Sequence, residues 1–135
     1  ILFSIIGIIC SLIIRSELYS DGNRFILSEN YNMYNVIFTL HGLIMIFYLV
    51  MPTLFGGYGN YFYPIFLPAP EVGFPRINYY SILLLIISFI FLMMNLISEY
   101  GGSTGWTMYP PLSTSMMNLS PIALDFIIIG LIIIG

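Results

Sequence analysis

Apolar and polar positions divide this chain into four uncharged runs separated by polar connections. Ile1–Ile14 is apolar but only fourteen residues long, too short to cross a bilayer alone, and it reads as the second half of a helix. Val36–Phe55 follows as twenty residues without a formal charge, which at about 1.5 Å per residue matches a hydrocarbon core of roughly 30 Å. Ile77–Ser98 is a further span of twenty-two residues, with Asn95 near its end. The last run begins after Ser120–Pro121, an N-cap and first-turn pair, and is still apolar at Gly135. Asp125 is expected in its first turn, where a carboxylate suits the helix dipole. The pattern predicts an all-α, polytopic transmembrane helical bundle occupying residues 1–135 as one unit. It would hold half of a first helix, complete second and third helices and the start of a fourth, as in a chain cut at both ends.

The connections carry most of the polarity. Arg15 and the loop Ser16–Tyr34 hold five of the nine charged residues, with Gly22 at an expected turn. The second helix is expected to break down in MPTLFGGYGN (Met51–Asn60), where Pro52, Gly56, Gly57 and Gly59 disturb regular hydrogen bonding. Irregular backbone at membrane depth has to be buried in protein or line a wet cavity. Pro64, Pro68, Pro70 and Pro75 stiffen the next connection, and Asn60, Glu71 and Asn78 lie in or beside it. After Glu99, Gly101 and Gly102 open a loop that contains Trp106 and Tyr109.

Composition fixes the solvent. With 59% hydrophobic and 7% charged residues and a mean hydropathy of +0.99, the chain cannot hide its apolar surface in water, so the lipid bilayer is its first partner. It has no lysine, and three arginines face six acids, so no basic patch exists to follow a phosphate backbone and nucleic acid is excluded as a partner. The single Cys10 permits no internal disulfide and reads as a small buried side chain. Twenty-five isoleucines beside two alanines point to biased coding of the kind an AT-rich organellar genome produces, because lipid would accept either residue.

His41 is the only histidine and lies inside a membrane run. An ionisable residue at that depth is expensive and faces a protein interior, a cavity or a ligand. On helical spacing Tyr34, Phe38, His41, Met45 and Tyr48 share one stripe, and Gly42 removes a side chain beside the imidazole. From these residues alone, ligation of a flat cofactor and a structural hydrogen bond to a neighbouring helix stand level. Arg15 either snorkels to the interface or donates inward to a buried group. Glu71 is either a proton collector between two asparagines, an exposed loop acid, or a partner for Arg76. Trp106 and Tyr109 suit a headgroup-level aromatic belt.

Five segments in register resemble the amino-terminal quarter of the haem–copper oxidase catalytic subunit family, cytochrome c oxidase subunit I: LIIRSEL (Leu12–Leu18), YNVIFTLHGLIMIF (Tyr34–Phe47), MPTLFGGYGNYFYP (Met51–Pro64), APEVGFPRIN (Ala69–Asn78) and STGWTMYPPLS (Ser103–Ser113). The resemblance implies a terminal respiratory oxidase that reduces oxygen to water with electrons from cytochrome c, coupled to proton pumping. His41 then matches an axial ligand of the low-spin haem a, and Arg15 the arginine that bonds the haem a formyl group. Trp106 and Tyr109 match residues near the haem propionates. Asn60, Glu71 and Asn78 match the mouth of the D proton-uptake path, with Glu71 standing where the family usually has aspartate. Glu17 and Gly22 match a calcium or sodium site.

Ligands of copper B and of the high-spin haem a would lie outside this chain, which would work only within the complete complex. Implied partners are the remaining part of subunit I, the copper-containing subunit II, subunit III and other oxidase subunits, and cytochrome c. The implied location is the mitochondrial inner membrane, with the bacterial plasma membrane as the alternative. Rival readings are a quinol-oxidising member of the superfamily and a b-type haem electron-transfer membrane protein.

Overall fold

A computed structural model describes residues 1–19, 31–98, 101–114 and 121–135. Helix α1 (Leu2–Glu17) ends with the Leu18 N–H on the Ile14 carbonyl, and Arg15 in its last turn opposes the negative end of the helix dipole. Helix α2 (Tyr31–Leu43) does not stop where proline and glycine were expected to break it. It runs on through two π-helical segments, Ile44–Val50 and Pro52–Gly59, into α3 (Asn60–Phe66). The i→i+5 turn is wider than an α-turn, which makes room for the Pro52 ring where α-geometry would press it on the preceding turn. The continuous helix Asn32–Phe66 has 35 residues and reaches roughly 50 Å at the α-helical rise, more than a hydrocarbon core needs.

Helix α4 (Pro75–Ile97) starts two residues earlier than its apolar run, because Pro75 is preorganised for a first turn. Helix α5 (Pro121–Ile134) starts at Pro121. Asp125 is its fifth residue and lies past the first turn, so the dipole argument made for it does not apply. Ser120, Glu99 and Gly22 fall outside the described residues.

Helix α1 packs along α2 and the first π segment, and α4 packs along α5. The two pairs meet in a core of Val36, Leu40, Leu43, Ile44 and Tyr48 from the long helix, Phe89 and Leu92 from α4, and Ile127 from α5. Phe3 of α1 closes it, stacking on Phe89 at 4.1 Å between centroids and meeting Tyr48 edge-on at 6.2 Å. Cys10, Ile14 and Ile37 form a smaller cluster between α1 and α2, so the buried role expected for Cys10 holds.

The outer faces are apolar. Ile82, Ile86 and Ile90 of α4 are about half exposed, and two helices are long and apolar enough to cross a membrane. Among the described residues the secondary structure is entirely helical, with loops and turns between. The chain is therefore a partial transmembrane helical bundle, as its hydropathy pattern predicts.

Candidate functional site

The stripe drawn through His41 divides in two once the helix changes pitch. Phe38 points outward and is half exposed, whereas Tyr48 is 2% exposed in the core. The π turn that begins at Ile44 rotates everything beyond it relative to a straight α-helix. His41 sits half-buried just before that change.

The imidazole is held from α1. His41 Nδ1 lies 2.9 Å from the backbone carbonyl oxygen of Gly7. A carbonyl oxygen only accepts, so Nδ1 carries a proton and donates it, and in the neutral ring Nε2 keeps its lone pair. Nε2 has no hydrogen-bond partner among the described residues. A neutral histidine whose far nitrogen is fixed in this way is the usual arrangement of a metal-ligating imidazole. Gly7 permits it, because a Cβ there would lie 2.7 Å from Met45 Sδ and 3.1 Å from Ile44 Cγ2. A larger residue would press on both side chains, which stand on the first π segment.

On its other side, the helix surface beside His41 carries Trp106. The Cβ and Cδ1 atoms of Trp106 lie 3.4 Å from where a Cβ on Gly42 would sit. The indole thus lies against α2 at Gly42, the residue after His41. Trp106 remains 47% exposed and Tyr109 72% exposed. One imidazole oriented from its far nitrogen, with the Trp106 indole on the same helix, is a donor set compatible with a large planar cofactor, and Tyr109 follows three residues further along the loop. Arg15 is exposed in the last turn of α1, and Glu17, two residues further on, is partly buried. Among the described residues no three His, Cys, Asp or Glu side chains gather around a metal position.

A second polar feature joins the long helix to α4. Asn60 Nδ2 donates to Asn78 Oδ1 at 2.9 Å and to the Gly56 carbonyl at 2.8 Å. The pair stands in the wall of a cavity of about 480 Å³ with Ser81 also polar, while Phe47, Leu85, Leu131 and Ile134 make its apolar wall. Pro52, Phe55 and Gly56 line this cavity, but the segment Pro52–Gly59 as a whole has no buried residue, and its backbone is satisfied by π-helical bonds instead of by a protein interior. Glu71 is exposed in the loop between α3 and α4 and is not among the cavity-lining residues. It forms no ion pair with Arg76 among the described residues.

Sequence reasoning passed over Gly7, Thr39 and Ser88, and gave Asn95 no role. A glycine inside an apolar helix, and isolated Ser, Thr or Asn within such runs, are the signal for close helix approach and interhelical hydrogen bonds. The signal does not say which helix is met.

Fold and site together define a polytopic helical membrane protein that presents one imidazole oriented by a backbone carbonyl. The whole chain, residues 1–135, matches the family model described as Cytochrome C and Quinol oxidase polypeptide I, and the chain belongs to that family. It is similar to the cytochrome c oxidase subunit 1 of Plasmodium falciparum, with 55% identity over 134 residues that cover 99% of this chain and 28% of the relative. The subunits of that name from Plasmodium berghei and Plasmodium chabaudi match with the same identity and coverage. The chain thus spans little more than a quarter of the length of these curated relatives.

Proposed function

We propose that this chain forms the amino-terminal part of the catalytic subunit of a respiratory terminal oxidase that takes electrons from cytochrome c, reduces oxygen to water and pumps protons. The observation that carries the reading is the His41–Gly7 hydrogen bond, which leaves Nε2 as a ready ligand within a chain of this family. In this reading His41 would hold low-spin haem a through Nε2. Haem a supplies one-electron transfer when bound. Gly7 fixes the tautomer and the direction of the imidazole. Trp106 and Tyr109 offer an indole N–H and a phenol O–H to the haem carboxylates. Arg15 donates to the formyl group, a role that asks its exposed side chain to turn inward.

Asn60 and Asn78 hold the polar end of the cavity open to water, and Glu71 collects protons at the surface ahead of them. Glu17, with Gly22, offers oxygen ligands to calcium or sodium. High-spin haem a and copper B take their ligands from the remaining part of subunit I. The copper-containing subunit II, subunit III and other oxidase subunits complete an assembly in the mitochondrial inner membrane. A quinol-oxidising complex is the second reading, because the matching family description covers both classes. Turnover on reduced cytochrome c, as against quinol, separates the two.

The deciding experiment is a reduced-minus-oxidised optical spectrum of the assembled complex with and without His41→Ala. Loss of an a-type low-spin band in the variant is the expected result. A band that survives unchanged would return His41 to a structural role.

A further inference from the structure

The loop that delivers Trp106 to His41 has no regular secondary structure, yet it is fastened at two buried points. Asn95, 0% exposed near the end of α4, accepts the Gly102 N–H at 2.6 Å through Oδ1. Thr39, also 0% exposed, accepts the Gly105 N–H at 2.9 Å through Oγ1 and donates its own proton to the Asn35 carbonyl at 2.7 Å. Between the two bonds the chain is wedged into the helix junction. A Cβ on Gly101 would come within 2.7 Å of Val36, and one on Gly102 within 2.7 Å of Ile127. Gly101 and Gly105 both have positive φ, +56° and +77°, a backbone shape that other residues adopt at a cost.

Register turns this fastening into a site feature. Thr39 is two residues before His41, and Gly105 is one residue before Trp106. Bonding Gly105 to Thr39 therefore sets how far along α2 the indole lies, which is against Gly42, the residue that follows His41. The hydroxyl of Thr39 has its proton engaged by Asn35, so its lone pair is aimed outward at the incoming N–H.

We propose that Thr39 and Asn95 are positioning residues, a two-point clamp that holds Trp106 at a fixed place beside His41 and so tunes the group that His41 binds. This rests on the reading of His41 as a haem ligand. Losing the Thr39 hydroxyl frees Gly105 and lets the indole slide along α2, which changes hydrogen bonding and solvent access at the cofactor. Both are levers on the potential of a haem.

The test uses the intact oxidase complex with Thr39→Val, Thr39→Ser and His41→Ala. Thr39→Val is expected to shift the low-spin band and its midpoint potential with haem content unchanged, and Thr39→Ser to restore both. Hydrogen–deuterium exchange of residues 101–106 in the unaltered complex is expected to show the Gly102 and Gly105 amides protected, a measurement that stands even if Thr39→Val does not assemble. Free exchange at both amides overturns the clamp. So does a Thr39→Val complex with an unshifted band and potential while His41→Ala loses the band. If His41→Ala also leaves the band unchanged, the ligand reading itself fails and the positioning role falls with it.

Discussion

The imidazole of His41 and the backbone carbonyl of Gly7 meet at 2.9 Å across the interface of α1 and α2. A residue with no side chain thereby fixes the tautomer of the chain's only histidine. Gly7→Ala is expected to disturb this geometry, because its Cβ would meet Met45 Sδ, which can swing aside, and Ile44 Cγ2, which is fully buried and cannot. Overpacking of this kind costs about 1–3 kcal/mol. A lower thermal midpoint of the complex together with a shifted low-spin band would bear this out. An unchanged band would mean that the Gly7 carbonyl does not orient the ligand.

Tyr48 and Ser88 form an asymmetric pair. Ser88 Oγ donates to the Gly130 carbonyl at 2.5 Å, so its single proton is spent and Tyr48 must donate to it at 2.6 Å. Tyr48→Phe removes only that interhelical bond, worth about 0.6 kcal/mol on average between membrane helices. Ser88→Ala strands the buried Tyr48 hydroxyl, a loss of about 1–3 kcal/mol. Thermal unfolding of the complex should rank Ser88→Ala clearly below Tyr48→Phe, and the reverse order would refute the pairing of Tyr48 with Ser88.

Gly130 sets the spacing between α4 and α5. A Cβ there would stand 3.2 Å from the Ser88 backbone carbonyl, which cannot rotate away as a side chain can. Gly130→Ala should separate the helices by a few tenths of an ångström, lengthen the Ser88–Gly130 bond and destabilise by about 1 kcal/mol or more. Differential scanning calorimetry of the variant complex measures this directly.

Asn60 and Asn78 bridge the long helix and α4 at the polar end of the cavity. Asn78→Leu removes the acceptor and lines the cavity mouth with hydrocarbon, so more than half of the turnover and the proton uptake should be lost while the low-spin haem spectrum is kept. Glu71→Gln should act in the same direction. Because Glu71 stands apart from the cavity lining, its effect should be the smaller. Flow-flash proton-uptake kinetics on both variants would show it, and a larger defect in Glu71→Gln would make the surface acid, rather than the asparagine gate, the limiting step.

Hydropathy alone determined that the chain spans a membrane as helices, since lipid forces each segment to satisfy its own backbone hydrogen bonds and leaves few alternatives. It also made His41 conspicuous, because a lone ionisable residue in an apolar run has few reasons to be there. The motifs around His41, Asn60 and Asn78 carried the family. What the linear pattern missed was the behaviour of Met51–Gly59, where local breaker residues argued for an end and a π-helical pitch carried the helix on. The same change of pitch turned Tyr48 inward and left Phe38 outside, because a periodicity argument assumes one pitch throughout. Only tertiary structure decided that the carbonyl facing His41 belongs to Gly7, and that Thr39 and Asn95 fasten the Trp106 loop. Those partners lie 34, 66 and 7 residues away along the chain. A hydrogen bond between elements depends on how helix faces meet, and no local pattern of polar and apolar positions encodes that meeting.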